Sequence, residues 1–265
     1  MAQALFDTDL GTNQLAYLRD GGRDDFGPCG FFWLGGFRSD MRGKKAEALA
    51  EMARTTRRPA LRFDYSGHGE SSGLFIDGSI SEWLEQSVHM FLSRCKGKSV
   101  IIGSSMGGWL ALLLAKRLQI EDQTAFRRIA AMVLIAPATD MTQDLMWDYL
   151  DRGQKLMLRE TGVYMRPSEY GEPYPITAKL LADGQQHILL PLGLDTPFPL
   201  RIIQGTDDRD VPAAHAMKTM EALRGPDISL TLVKGGDHRL STPAQLTLIK
   251  ETALRLAERA DGISL

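Results

Sequence analysis

The segment from Lys98 to Ala115 constrains the fold of this chain more than any other. It combines a short apolar strand, a turn with the sequence G-S-S-M-G at 103–107, and an apolar helix. In this G-x-S-x-G pattern a serine lies between a strand and a helix, in a backbone conformation that costs roughly 1–3 kcal/mol. Glycines at both ends of the turn remove side chains that would clash there. The pattern predicts an exposed Ser105 hydroxyl, with the first amides of the helix, from Met106 onward, directed toward it.

A second copy of the pattern, G-E-S-S-G at 69–73, lacks this context. No strand leads directly into it, and residues 74–78 do not begin a helix. We therefore interpret Ser71 as a loop residue and Ser105 as the candidate nucleophile.

Apolar runs and helical patterns alternate along the rest of the chain. The runs predict strands at 15–18, 31–34, 60–63, 99–102, 131–136, 200–204 and 228–233. Between them, helices are predicted at about 40–56 with Ser39 as N-cap, 80–95 with Ser79 as N-cap, 106–118, 213–224 and 243–259 with Thr242 as N-cap. Strands that alternate with helices form parallel sheets covered on both faces. The sequence therefore predicts an α/β fold with a mostly parallel central sheet.

The alternation stops between residues 137 and 199. This segment shows helical pieces at 144–150 and 152–160, several prolines and no strong strand. We interpret 137–199 as an inserted helical lid, and 1–136 together with 200–265 as the core.

Composition excludes several classes of protein. The 265 residues carry a net charge of −2, which gives no reason to expect nucleic acid or an anionic membrane as a partner. No stretch reaches the roughly 20 apolar residues that span a bilayer. Two cysteines without a C-x-x-C motif and a start without a targeting presequence favour the cytoplasm. Neither a zinc-ligand spacing nor a nucleotide-binding motif is present, so no metal and no cofactor are expected.

A serine nucleophile needs a base and an orienting acid, which follow it in this pattern in the order Ser, Asp, His. Among the five histidines, His238 follows the strand at 228–233 and is the candidate base. The strand at 200–204 leads into a loop with Asp207, Asp208 and Asp210, and the residues alone do not separate these three as the acid.

Two further loops contain candidate site residues. Gly35 and Gly36 follow the strand at 31–34 and allow a close backbone approach, so the Phe37 and Met106 amides are the candidate oxyanion hole. In the loop after the strand at 60–63, Asp64 is expected to accept hydrogen bonds from loop amides. His68 either lines the mouth of the site or holds its own loop, and the second role is favoured.

The motifs resemble those of the α/β-hydrolase superfamily. Within it the chain is similar to the family of mitochondrial palmitoyl-protein thioesterases, also described as mycophenolic acid acyl-glucuronide esterases. The resemblance rests on R-F-D-Y-S-G at 62–67, G-S-S-M-G-G-W-L at 103–110, Q-G-T-D-D-R-D-V-P at 204–212 and D-H-R at 237–239. It extends to G-V-Y-M-R-P-S-E-Y at 162–170, inside the predicted lid. A departure from the common pattern is Gln204, where a histidine often precedes the glycine.

The resemblance implies a serine hydrolase of the α/β-hydrolase fold. The family pattern G-x-x-D-x-x-V-P selects Asp208 as the acid. Such an enzyme cleaves the ester or thioester bond of a small-molecule or acylated substrate through an acyl-Ser105 intermediate. The alternatives are an amidase or small-peptide hydrolase with the same triad, and a binding protein on the same scaffold. Apolar lid residues are candidates to line the substrate pocket, namely Trp147, Leu156, Tyr164 and Met165.

Overall fold

The structure is a computed structural model and describes residues 3–11, 13–22, 27–168 and 171–263. Its strands are β1 (Leu5–Asp7), β2 (Leu15–Asp20), β3 (Gly30–Leu34), β4 (Ala60–Phe63), β5 (Ser99–Ser104), β6 (Ile129–Ile135), β7 (Val163–Ser168), β8 (Gly171–Thr177), β9 (Leu194–Asp195), β10 (Leu200–Gly205), β11 (Leu223–Arg224) and β12 (Ile228–Val233). Its α-helices are α1 (Lys44–Thr56), α2 (Ile80–Arg94), α3 (Met106–Glu121), α4 (Gln123–Phe126), α5 (Arg152–Thr161), α6 (Ala178–Gly184), α7 (Ala213–Ala222) and α8 (Pro243–Ala260). Short 3-10 or π turns occupy Phe75–Asp77, Thr142–Met146, Trp147–Tyr149 and Gln185–His187.

The largest sheet among the described residues has eight strands in the order β1-β2-β4-β3-β5-β6-β10-β12. Neighbours from β4 to β12 run parallel, whereas β2 pairs antiparallel with both β1 and β4. Strand β5, which leads into Ser105, lies between β3 and β6 and is buried along its whole length. The prediction of a mostly parallel central sheet is confirmed.

Helices cover both faces of this sheet. In β6, Met132 and Leu134 join an apolar cluster with residues of α2 and α3, whereas Val133 and Ile135 join a second cluster with residues of α1 and α8. Successive side chains of a strand point to opposite faces, so a strand buried on both faces needs a continuous apolar run. The apolar runs of the sequence reflect this two-sided burial.

The helix starts follow their capping residues in two of three cases. Ser79 accepts a hydrogen bond from an amide of the first turn of α2, and Thr242 forms a capping box at α8. The predicted start at residue 40 with Ser39 as cap is wrong. The Ser39 hydroxyl donates to the Gly36 carbonyl within a turn, and α1 begins only at Lys44. This turn keeps the loop after β3 out of the helix.

The segment at 137–199 leaves the sheet after β6 and returns at β10. It contains α5 and α6, but also the antiparallel hairpin of β7 and β8. The prediction that this segment lacks strands is wrong. The prolines at 167, 173 and 175 predict interruptions, but all three lie within β7 or β8. Both strands of a two-stranded hairpin are edges, where a missing N–H donor is tolerated.

Buried side chains of this segment belong to the main core. Leu145, Leu158, Ile176 and Leu180 are in the same apolar cluster as residues of α2 and α3. The division into a core and a lid stays a prediction. Within the described part of the chain, none of the helices combines the length and the apolar character that crossing a membrane requires.

Candidate active site

The turn between β5 and α3 holds Ser105 in a conformation that side chains rarely adopt. Its φ and ψ are 55° and −120°. The turn needs glycine at two positions: a Cβ on Gly103 would lie 2.3 Å from the Gly107 carbonyl oxygen, and one on Gly107 would lie 2.1 Å from the Leu34 carbonyl oxygen. Because the Ser105 amide donates to the Ile135 carbonyl at 2.9 Å, the strained residue is anchored to the neighbouring strand.

A histidine and an aspartate form a hydrogen-bonded chain with this serine. The Ser105 Oγ lies 3.0 Å from His238 Nε2, and His238 Nδ1 lies 2.8 Å from Asp208 Oδ2. Both distances are within the range for a nucleophile, its base and the orienting acid. Asp208 is buried, whereas Ser105 and His238 are partly accessible. The loops after β5, β10 and β12 meet here because their strands are parallel and end at the same edge of the sheet.

The structure separates the three aspartates that the residues alone left open. Asp208 Oδ1 accepts from the amides of Asp210 and Val211, at 3.0 and 2.8 Å, so its second oxygen faces His238. Asp207 is exposed and accepts from a threonine hydroxyl. Asp210 is exposed and lines the cavity described below.

Gln204, at the end of β10, makes a contact that sequence analysis did not identify. Its Nε2 donates to Asp208 Oδ2 at 3.0 Å and to the Val211 carbonyl at 2.9 Å, and the side chain is fully buried. Gln204 therefore links the carboxylate to the chain on the far side of its loop. The departure from the family pattern at this position marked the residue, but nothing in the sequence indicated the contact.

The loop after β3 passes beside the serine. A Cβ on Gly36 would lie 3.2 Å from the Ser104 carbonyl oxygen and 3.3 Å from the Ser105 Cβ, so glycine allows this approach without a shift of its neighbours. The next residue, Phe37, packs its ring against Phe75 and Tyr174, with centroids 4.8 and 5.8 Å apart. Phe37 and the residue after the serine, Met106, are the two candidate oxyanion donors, and this loop brings the first to the cavity.

His68 holds this loop from behind. Arg38, which follows Phe37, has a φ of 60°, and its amide donates to His68 Nε2 at 3.1 Å. The His68 Nδ1 lies 3.1 Å from the Ser66 carbonyl, so the neutral tautomer that donates from Nδ1 fits both contacts. Burial lowers the pKa of His68 to about 4, which keeps the ring neutral. The sequence left two roles open for His68, and the structure favours the support of loop backbone over lining the mouth of the site.

Asp64 ties the same two loops together. Its Oδ1 accepts from the Met41 amide at 2.6 Å, and its Oδ2 accepts from the Glu70 amide at 2.9 Å. Burial raises the pKa of this carboxyl to about 6. The prediction that Asp64 binds loop amides is confirmed. Ser71, from the second G-x-S-x-G match, has a similar part: its hydroxyl donates to the Asp64 carbonyl and accepts from the Ala16 amide.

A cavity of about 580 Å³ opens over Ser105 and His238. Its wall contains both apolar and charged side chains. Apolar or aromatic residues in the wall are Trp33, Phe37, Ala46, Ala138, Met141, Leu145, Met146, Tyr174 and Val211. Basic residues in the wall are Arg38, Lys44, Lys45, Arg166 and Arg239, and acidic residues in it are Asp40 and Asp210. Burial lowers the pKa of Lys45, whose Nζ donates to the Arg239 carbonyl, to about 8.

The four predicted pocket residues are not part of this wall. Leu156 and Met165 are 53% and 51% exposed. Trp147 lies under the Lys155 ammonium, and the Tyr164 hydroxyl accepts from a glutamine of α5. The hairpin explains the outcome for Met165, since its neighbour in sequence points the opposite way.

Alternation along β7 decides which of the two neighbours Met165 and Arg166 reaches the cavity. Arg166 pairs with Tyr174 across the hairpin, and both line the cavity, whereas the pair of Met165 and Pro175 lies on the other face. A predicted strand would have separated Arg166 from Met165, because successive side chains of a strand point to opposite faces. The sequence instead predicts helical pieces in this segment, and a helical pattern does not separate the two residues in this way.

Two groups of side chains in the described residues have metal-like spacing. They are Asp7, Asp9 and His89, and Asp208, Asp210 and His238. In the first, Arg94 and His89 already bind the carboxylates, and in the second, Asp208 and His238 bind each other. Neither group is proposed as a metal site, because these side chains already bind one another or an arginine. The expectation of no metal and no cofactor stays a prediction.

Comparison with known proteins points to one family. A palmitoyl-protein thioesterase ABHD10, mitochondrial, from Rattus norvegicus is 29% identical over 239 residues, which cover 89% of this chain and 76% of the relative. A crystal structure of a protein from Agrobacterium vitis is 38% identical with a TM-score of 0.90, over 97% of this chain and 98% of the other. The structure of mouse alpha/beta hydrolase domain-containing protein 10 is 26% identical with a TM-score of 0.85, over 97% and 99%.

These matches confirm the resemblance that the motifs indicated. The similarity to the two solved structures covers 97% of this chain, with TM-scores of 0.90 and 0.85. The family model described as the alpha/beta hydrolase family matches residues 28–247. The chain belongs to the alpha/beta hydrolase family.

Proposed function

We propose that this protein hydrolyses carboxylic esters or thioesters through an acyl-Ser105 intermediate. The observation that carries the proposal is the chain of hydrogen bonds from Ser105 Oγ to His238 Nε2 at 3.0 Å and from His238 Nδ1 to Asp208 Oδ2 at 2.8 Å. It lies beneath a cavity large enough for a substrate. Membership of a hydrolase family and relatives named thioesterases support the same reaction.

In the first half of the reaction His238 acts as a base and then as an acid. Its Nε2 takes the Ser105 proton while the Oγ attacks the carbonyl carbon of the substrate. The amides of Met106 and Phe37 stabilise the negative oxygen, and each such donor is typically worth about 2.7–4 kcal/mol. The imidazolium, stabilised by Asp208, then gives its proton to the departing alcohol or thiol. An acyl-serine remains.

The second half repeats these steps with water. His238 removes a proton from a water molecule, whose oxygen attacks the acyl-serine carbonyl. Collapse of the second oxyanion breaks the bond to Ser105 Oγ, which recovers its proton from His238. The free acid leaves and the resting state of the three side chains is restored, so no cofactor is consumed.

The apolar residues of the cavity wall are suited to the acyl group. Met141, Leu145 and Met146 lie there in place of the lid residues that sequence analysis favoured. Unbranched methionines adapt to flexible apolar groups. The preferred substrate is therefore an acylated small molecule or an acylated protein side chain, as the names of the thioesterase relatives also indicate.

The location of the protein stays a prediction. Cys29 and Cys95 are both buried, which fits the reducing cytoplasm proposed from the sequence. The curated relatives are named mitochondrial, so they do not support the cytoplasm specifically.

Replacement of Ser105 tests the proposal. The variant Ser105→Ala should lose several orders of magnitude in turnover of matched oxyester, thioester and amide substrates, with an unchanged circular dichroism spectrum. Ser93→Ala is the control, because it alters a serine of α2 that lies outside the cavity wall. It should keep wild-type turnover. Ester hydrolysis by Ser105→Ala at the wild-type rate would refute the mechanism. If the wild type hydrolysed only the amide substrates, the amidase alternative would replace the proposal.

A further inference from the structure

Arg166 is a charged residue in the wall of the cavity, whereas an unsubstituted acyl chain would require only apolar contacts there. Arg166 lies on β7 and is half-buried. One of its terminal nitrogens donates to the Leu145 carbonyl at 3.0 Å. A guanidinium has five N–H donors. Among the residues that the structure describes, no carboxylate lies within ion-pair distance of it.

With no counterion among the described residues, the half-buried Arg166 guanidinium gives up part of its hydration without an ion pair in return. Removal of a charge from water is costly unless an opposite charge and hydrogen bonds replace the solvent. A methionine here would extend the surface of Met141 and Met146 without that cost. A bound anion would offset it, and the planar guanidinium fits a carboxylate with two parallel hydrogen bonds.

Neighbouring groups add to the positive field at this point. Tyr174 lies across the hairpin from Arg166, and the Arg38 guanidinium lies 5.0 Å from the centre of its ring. The two arginines thus flank the tyrosine at the cavity wall. Asp210 is also in the wall, and its charge acts on the pKa of Tyr174 in the direction opposite to that of Arg166 and Arg38. It is exposed and forms no ion pair with Arg166.

The leaving group must lie next to His238, which protonates it. Wall residues adjoining His238 are Arg239 and Ser241 in its own loop and Lys45, whose Nζ donates to the Arg239 carbonyl. Arg166 instead donates to the carbonyl of Leu145, which lines the wall together with Ala138, Met141 and Met146. Arg166 is thus anchored to these apolar residues and not to the loop of His238.

We propose that Arg166 binds a free carboxylate at the far end of the acyl group, so that the preferred substrates are esters or thioesters of dicarboxylic acids with one carboxylate free. This inference rests on the proposed hydrolase function and adds a class of acyl group to it. A substrate of this class has an apolar spacer against Met141 and Met146, between the scissile carbonyl and the carboxylate.

Matched substrates with one leaving group test this inference. The probes are the 4-nitrophenyl monoesters of succinic, glutaric and adipic acid, each paired with the neutral ester of the same chain length. The wild-type protein should favour the best monoester over its neutral partner. In Arg166→Met its kcat/KM should fall roughly 10- to 100-fold, mainly through KM, while the neutral ester keeps its rate. Arg166→Lys, which retains the charge without the fork, should fall between them.

Arg159→Met is the matched control, since it removes an exposed arginine of α5 that lies outside the cavity wall. It should not change the ratio of the two rates. An equal ratio in the wild type and Arg166→Met would overturn the inference and leave the hydrolase function intact, because the neutral esters would still be cleaved. A 3-carboxyphenyl hexanoate probe locates the anion: a selective loss on this substrate in Arg166→Met would place it in the leaving group and overturn the acyl assignment. Failure of the wild type to cleave any ester would instead refute the proposed function.

Discussion

The Asp208 carboxylate accepts hydrogen bonds from more groups than His238 alone. Two amides of its own loop bind Oδ1, and Gln204 and His238 share Oδ2. These four hydrogen bonds fix the orientation of the carboxylate. Gln204 is thus a positioning residue for Asp208 and does not contact the reacting atoms.

Gln204→Met should lower kcat roughly 10- to 100-fold, because a buried hydrogen bond to a charged group contributes about 1.5–3 kcal/mol. KM should not change, since the side chain lies outside the cavity. Steady-state kinetics on one chromogenic ester would measure both. Gln204→His, which introduces the residue common in the family pattern, should keep most of the activity. A wild-type kcat in Gln204→Met would show that the loop amides alone orient Asp208.

At the scale of the elements, the site depends on two loops that support each other. The loop after β3 carries Phe37, and the loop after β4 carries Asp64 and His68, which bind amides of the first loop. The positive φ of Arg38 is a strained conformation that its neighbours must maintain. The exact course of the Phe37 backbone is therefore set by the second loop.

His68→Leu should lower kcat by roughly tenfold or more, because loss of the acceptor for the Arg38 amide lets the loop after β3, with the proposed oxyanion donor Phe37, relax. His68→Gln offers an oxygen acceptor in place of Nε2 and should lose less. The two variants, compared on the same ester at pH 7, separate the hydrogen bond from mere filling of space. Equal rates for both would contradict the positioning role.

The stability of the folded protein should depend on the same histidine. Its pKa is lowered to about 4 in the folded state, so the unfolded state binds the proton first as the pH falls below 6.5. The wild type then loses roughly 3 kcal/mol of unfolding free energy between pH 7 and pH 4, a contribution that His68→Gln lacks. Urea unfolding of both proteins at several pH values would measure the difference. A difference that does not change with pH would contradict a buried neutral His68.

At the scale of the whole molecule, the segment at 137–199 shares its core with the sheet and its helices. Ile176 of β8 is fully buried in the cluster that contains Trp83 and Trp109. Residues that share one cluster are expected to unfold together. The segment should therefore cover the site without being an independent folding unit.

Ile176→Ala should destabilise the entire protein by about 2–5 kcal/mol, in a single transition. Far-UV circular dichroism and tryptophan fluorescence should give the same midpoint. Met165→Ala, on the exposed face of the same hairpin, should have little effect. Two separate transitions, with only the first shifted by Ile176→Ala, would show that the segment unfolds on its own.

The sequence by itself determined the parts of this protein that depend on local patterns. Apolar runs identified the strands that are buried on both faces, and the glycines at 103 and 107 identified the turn that exposes Ser105. Chain order then led to His238, and the family pattern to Asp208. These features are readable because each residue type is required by its own backbone or by burial.

Only the tertiary structure decided which residues surround the triad. Gln204, His68 and Arg166 act on partners 4, 30 and 21 positions away, through contacts that no local pattern encodes. Arg166 lines the cavity and Met165 does not because both lie on a strand of a hairpin. The prolines of this hairpin make its strands difficult to predict from the sequence. Local chemistry fixes where a strand or a nucleophile lies, whereas the wall of a cavity depends on how distant segments pack.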